Sequence, residues 1–154
     1  MKEGLAFTDA PLFIAAMKKL CASFLVLTCF LSSLFADKPI GDPMVKHVNA
    51  KEAGELWKAN KANEGFIVLD VRTAEENEEV RIPNAMNLDV KGSGFTAKTS
   101  KLDKERTYLV HCRSGGRSKT AMKALQKLGF LKLYHLDGGM MAWEKEGLQV
   151  EKGK

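Results

Sequence analysis

Between residues 44 and 150 the apolar positions follow two different periods in turn. Met44-Val45-Lys46-His47-Val48 reads as a short strand. Asn49 then stands three residues before Glu52, the spacing of a reciprocal helix cap, and Ala53, Leu56 and Trp57 mark the apolar face of the helix that follows. Phe66 to Val71 is a nearly unbroken apolar run, as in a strand covered on both faces. Thr73 and Glu76 repeat the capping signal and predict a short helix to about Glu79. Ile82-Pro83-Asn84-Ala85 predicts a turn into Met86-Asn87-Leu88. Lys91 to Lys101, with Gly92 and Gly94, has little pattern and reads as a loop with a helical fragment. Thr107 to His111 is a second covered strand. Ser118 to Leu128 returns to helical spacing, with Ala121, Met122, Leu125 and Leu128 on one face and Gly129 as its stop. Leu131 to Leu136 is a last strand, and Asp137-Gly138-Gly139 opens a final helix bearing Met141, Ala142 and Trp143. Strands alternating with helices predict an α/β fold on a parallel sheet with both faces covered.

In such sheets ligands bind beyond the carboxyl ends of the strands, which is where the order of elements puts Cys112. The residues around it read as a device for making a thiol reactive. A strand delivers Cys112, the loop Arg113-Ser114-Gly115-Gly116-Arg117 follows, and a helix begins at about Ser118. Backbone N–H groups curled around one point, together with a helix N-terminus, favour an anion there. The thiolate is the nucleophilic form of cysteine. Gly115 and Gly116 are expected to supply positive φ angles. Arg113 and Arg117 add permanent cations suited to an oxyanion.

The chain has 154 residues and a formal net charge of +5, which suits one domain, here placed at residues 44–150. Met17-Lys18-Lys19 precedes the uncharged run Leu20–Ala36, diluted by three serines and a threonine. This reads as a secretory signal cut after Ala36, with Met17 as the natural start, residues 1–16 as an extension and residues 37–43 as a polar leader. A retained membrane anchor is the alternative. Cleavage would put the mature chain in the periplasm or outside the cell, with no membrane attachment. It would remove Cys21 and Cys29 and leave Cys112 as the only thiol, so no internal disulfide and no multi-cysteine metal site could form. His47, His111 and His135 have no ligand spacing along the chain, and neither a metal nor a cofactor is expected. The basic residues are spread along the chain without aromatic interleaving, which argues against nucleic-acid binding. With no large exposed apolar face, a monomer is the default.

Four segments together resemble the rhodanese-like sulfurtransferases: Leu69-Asp70-Val71-Arg72, Ile82-Pro83-Asn84-Ala85, His111 to Ser118, and Leu136-Asp137-Gly138-Gly139 with Trp143. The resemblance implies a rhodanese-like α/β fold, with a central, mostly parallel sheet of about five strands and helices on both faces. It implies that Cys112 takes the outer sulfur of thiosulfate as a persulfide, releases sulfite and hands the sulfur to cyanide or another thiophilic acceptor. Arg113, Ser114, Gly115, Gly116, Arg117 and Ser118 then form the substrate-binding loop, with Arg113 and Arg117 holding the dianionic donor or the leaving sulfite. Asp70 and Arg72 either orient that loop and bind substrate or form a structural ion pair. Gly138 and Gly139 are expected to permit close packing, and Trp143 to be a core aromatic.

Loop length separates this pattern from related phosphatases and arsenate reductases, whose loop is one residue longer; here that arginine position is Ser118. Many members carry Gly-His before Ile-Pro and Gly after it, whereas this chain has Val80-Arg81 and Asn84. Asn tolerates the left-handed backbone that such a turn requires. Two functions follow from different classes: an exported thiosulfate sulfurtransferase, or a sulfur-relay module that keeps its persulfide for a protein acceptor.

Overall fold

The computed structural model describes residues 44–153. The signal-sequence reading, the Met17 start and the 37–43 leader lie outside the described residues. Strand β1 (Met44–Val48) runs into helix α1 (Ala50–Asn60), which opens with the expected reciprocal cap. The Glu52 N–H donates to Asn49 Oδ1 at 3.0 Å, and the Asn49 N–H donates to Glu52 Oε2 at 2.9 Å. Strand β2 (Phe66–Asp70) leads through a second such cap into α2 (Ala74–Glu79). Two-residue strands β3 (Val80–Arg81) and β4 (Met86–Asn87) flank the Ile-Pro-Asn turn, where Asn84 takes the left-handed φ of 62°. Helix α3 (Phe95–Thr99) is the fragment within the unpatterned stretch. Then come β5 (Thr107–His111), α4 (Gly116–Lys127), β6 (Lys132–Leu136), α5 (Gly139–Lys145) and β7 (Glu151–Lys152).

Among the described residues the main sheet has five strands in the order β1-β6-β5-β2-β4, and every neighbouring pair is parallel. Alternate residues of its strands feed two cores. Val68, Leu109 and Leu136 face a cluster with Ala53 and Trp57 of α1 and Met140 and Trp143 of α5. Leu69, Val110 and Leu133 face the opposite cluster with Ala121, Met122 and Leu125 of α4. Helices on both faces make the strands apolar on both sides, which is why they read as unbroken runs. Trp143 is fully buried, meets Trp57 edge-to-face at 6.0 Å and donates its indole N–H to the Gln149 carbonyl. It is a core aromatic, as expected.

Two features differ from the pattern-based expectation. Strand β6 is not the last strand, because β7 pairs antiparallel with β3, with Val80 opposite Lys152 and Arg81 opposite Glu151. Two residues are too few to show a period. This pairing also places Arg81, whose guanidinium meets Glu151 at 3.0 Å. In addition, α4 begins at Gly116 rather than Ser118. Gly115 alone of the loop glycines has a positive φ, at 99°, and Gly116 is already helical. The expectation of positive φ at both glycines is therefore corrected: the left-handed turn is complete at Gly115, and the helix hydrogen-bond ladder starts immediately after it.

Candidate active site

Central strand β5 ends beside β2, with His111 opposite Asp70 in register. Two groups of residues meet at that end. The first stems from β2. Asp70 is fully buried, and Arg72 is only 3% exposed. Arg72 donates from Nε to Asp70 Oδ1 at 3.0 Å and from NH2 to Asp70 Oδ2 at 2.6 Å, while NH2 also reaches the Val80 carbonyl at 2.6 Å. Asn77 of α2 donates to the same carboxylate at 2.9 Å. Burial pushes the Asp70 carboxyl up, but the hydrogen bonds from Arg72 and Asn77 and the nearby His111 ring hold it below its ordinary value. Asp70 and Arg72 form a buried ion pair, and Arg72 also lines the cavity that Arg113 borders. The pair ties β2 to the β3 segment behind the cysteine loop. His111 is fully buried, and burial lowers its pKa; its Nε2 lies 4.0 Å from Asp70 Oδ2, with no hydrogen-bond partner among the described residues.

The second group is the cysteine loop. Cys112 is 1% exposed and packs in the α4-side core. Its Sγ accepts the Gly115 N–H at 3.1 Å and lies 3.5 Å from Ser118 Oγ. Burial pushes the thiol up. The Ser118 hydroxyl, with the N–H groups of Ser118, Gly115 and Ser114, outweighs it and leaves the pKa below its ordinary value. Such a pocket favours thiolate without a neighbouring cationic side chain touching the sulfur.

Helix α5 holds the loop in this shape. The Met140 N–H donates to the Cys112 carbonyl at 2.8 Å and the Met141 N–H to the Arg113 carbonyl at 3.0 Å. Gly139 has φ 58°, and a Cβ there would collide with the Cys112 carbonyl oxygen and come within 2.8 Å of Arg113 C and O. Gly138, at φ 76°, would bring a Cβ to 2.7 Å from that of Ala142. The glycine pair permits close packing, as expected.

The two loop arginines part company. Arg117 is held by Glu76 of α2, NH1 to Oε2 at 2.6 Å and NH2 to Oε1 at 2.7 Å. The α2 cap projects Glu76 at the loop, which is how the two side chains meet. Arg113 is exposed, and its side chain makes no hydrogen bond or ion pair among the described residues. It borders a cavity of about 230 Å³ lined also by Arg72, Glu76, Glu79 and Glu144, with Met140 and Met141. Ser114 and Gly116 are exposed, while Ser118 is fully buried.

Linear spacing does not reveal what lies behind Ser118. Its Oγ is 2.8 Å from His135 Nε2, and His135 Nδ1 is 2.8 Å from Asp137 Oδ1. His47 of β1 reaches the same carboxylate oxygen at 3.0 Å because β1 and β6 are sheet neighbours. The donor atoms of His47, His135 and Asp137 lie within 4.8 Å of one another. Both nitrogens of His135 already face hydrogen-bond partners, so the cluster is a hydrogen-bond chain leading to the loop.

The family model for the rhodanese-like domain matches residues 52–146, from α1 to the end of α5. The chain belongs to the rhodanese-like family. Among similar proteins, a sulfurtransferase of Allochromatium vinosum is 30% identical over 103 residues, covering 67% of this chain and 94% of its own. The Bacillus subtilis protein YtwF, provisionally named a sulfurtransferase, is 41% identical over 86 residues, covering 56% of this chain and 81% of its own. A crystal structure of a rhodanese-related protein from Thermoplasma volcanium superposes with a TM-score of 0.58 at 30% identity, covering 69% of this chain and 97% of that one. The expected fold class is the observed one, and this rhodanese-like chain's relatives support sulfur transfer as its role.

Proposed function

We propose that the chain moves the sulfane sulfur of thiosulfate through a persulfide on Cys112 to cyanide or another thiophilic acceptor. The observation that carries this is the pocket around Cys112 Sγ, where a backbone N–H at 3.1 Å and the Ser118 hydroxyl hold the thiol below its ordinary pKa. The thiolate attacks the outer sulfur of thiosulfate. The bond from that sulfur to the sulfonate breaks, and sulfite leaves with the electron pair. The terminal persulfide sulfur takes the negative charge, which the loop N–H groups and the start of α4 stabilise. Cyanide then attacks that sulfur, thiocyanate forms, and Cys112 is again a thiolate. Arg113, exposed beside the loop, supplies the cation that meets the donor. Neither a metal nor a cofactor enters any step.

Turnover of thiosulfate and cyanide by the purified protein, with intact mass read after thiosulfate alone, tests this. Wild type is expected to make thiocyanate and gain one sulfur, about 32 Da, and Cys112→Ser to do neither. Thiocyanate production by Cys112→Ser at the wild-type rate would overturn the assignment.

A second reading has its own support in the cavity beside the loop. Glu76, Glu79 and Glu144 oppose Arg72 and Arg113 there, and Arg117 is already paired with Glu76. With Arg72 paired to Asp70 and Arg117 to Glu76, Glu79 and Glu144 outnumber Arg113 among the cavity's charges, which disfavours a free dianion and favours a basic protein surface. On this reading the chain is a sulfur relay. A mass gain with a protein persulfide donor, without turnover of free thiosulfate, is the outcome that selects it. We further propose export on the strength of the Leu20–Ala36 run. Sequencing the N-terminus of the exported chain should read from Asp37, and an intact Met1 would refute cleavage.

A further inference from the structure

Ser118 Oγ has three neighbours at hydrogen-bonding range: His135 Nε2 at 2.8 Å, the Gly115 carbonyl at 3.0 Å and Cys112 Sγ at 3.5 Å. A hydroxyl has one proton to donate, so it cannot serve all three at once. Asp137 fixes which nitrogen of His135 carries hydrogen. As a carboxylate it only accepts, and it faces Nδ1 at 2.8 Å, so Nδ1–H donates to it. In the neutral ring Nε2 is then an acceptor, and it takes the Ser118 proton. The Cys112 S–H in turn has Ser118 Oγ as its acceptor. The chain S–H to O–H to N is complete and buried, with Cys112, Ser118 and His135 all at or below 1% exposure.

We propose that Ser118, His135 and Asp137 form a proton relay that carries the Cys112 thiol proton inward as the thiolate forms. The Cys112 S–H bond breaks and its proton goes to Ser118 Oγ, while the hydroxyl's own proton passes to His135 Nε2. No electrons change hands: thiol and neutral imidazole become thiolate and imidazolium. Ser118 then donates to Sγ, and the new Nε2–H faces Ser118 Oγ and the Gly115 carbonyl at 3.3 Å. Asp137 balances the imidazolium. Hydrogen bonds from His47 and His135 keep its carboxyl below the ordinary range, so it is charged throughout the neutral region. Three charged or titratable groups bear on the relay, from β1, from the end of β6 and from α4. His47 of β1 meets the His135 ring edge-on at 4.9 Å, Asp137 follows β6, and Arg117 of α4 acts on Cys112 through space. His111 of β5 is turned toward Asp70. His135 and Asp137 act through Ser118, which alone of the three touches the reacting sulfur.

The inference rests on Cys112 as nucleophile, but its test does not need sulfur transfer. Alkylation of Cys112 by iodoacetamide is followed against pH on the Cys112 peptide, which separates it from Cys21 and Cys29. The midpoint is expected to rise by about one pH unit in Ser118→Ala and His135→Gln, leaving about a tenth of the thiolate at a given pH below both midpoints. Asp137→Asn should give a smaller rise, and Ser118→Thr should keep the wild-type midpoint. A merely structural role would lower the melting temperature and leave every midpoint in place, and that result overturns the relay. Should His135→Gln fail to fold, Asp137→Asn decides, because its side chain is 51% exposed and lies outside the core. Shifted midpoints without sulfur gain from thiosulfate would leave the relay standing and remove the donor proposed above. Sulfur gain with unmoved midpoints would do the reverse.

Discussion

The chain uses one capping motif twice, and the two copies have diverged in duty. At α1, Asn49 and Glu52 bond each other at 2.9 and 3.0 Å on an exposed surface and touch nothing else of consequence. At α2, Thr73 and Glu76 make the same two bonds, but both lengthen to 3.3 Å. Glu76 also takes both arms of Arg117, at 2.6 and 2.7 Å. Glu76 Oε2 is shared between the Thr73 N–H and the Arg117 guanidinium, a charge-assisted, two-pronged partner. A local helix signal has thereby become a long-range brace on the cysteine loop.

The largest effect expected from this contrast is at Glu76. Glu76→Ala should remove about 2 kcal/mol of stability through lost charge-assisted bonds. It should also lower sulfur-transfer turnover by roughly tenfold or more, because Arg117 and the loop lose their fixed position. Urea unfolding and thiocyanate production measure the two parts. Unchanged turnover would reduce the second box to a cap like the first.

The next effect is in pH. The Arg117 guanidinium holds the Glu76 carboxyl down at about 2 in the folded chain, against an ordinary 4.5. The brace therefore contributes fully above about pH 4.5 and is lost as pH falls toward 2. Wild type should lose stability over that window more steeply than Glu76→Gln, which has no charge to lose. Parallel curves would mean that the pair contributes nothing. The smallest effect belongs to the first box. Asn49→Ala should cost about 1 kcal/mol in unfolding experiments and leave turnover untouched. A fall in turnover there would erase the contrast.

The same contrast explains what could be seen in the amino-acid sequence. Both boxes were legible because their partners lie three residues apart, and the covered strands were legible because a two-faced core makes them apolar throughout. Cys112 stood out because strand, glycine turn and helix are consecutive. What stayed hidden joins residues distant in sequence. Glu76 meets Arg117 only because β2 and β5 are neighbours in the sheet, and His47 meets Asp137 only because β1 pairs with β6. The partners of Glu76 and His135 had no local signature, since each lies on a different element. The Arg117 partner was equally hidden, because a loop arginine gives no sign of a carboxylate waiting on another helix.

The contact between α5 and the loop has a consequence for protein engineering. The Cys112 and Arg113 carbonyls are occupied by the Met140 and Met141 N–H groups, in a gap that only a glycine at 139 leaves open. The information for the sulfur pocket is thus written in two separate stretches of chain. Grafting residues 112–118 onto the end of another strand would transplant the thiol and its donors but leave the template behind. A transferable cassette has to include the Gly138-Gly139 turn, mounted at the height where its helix can meet the loop.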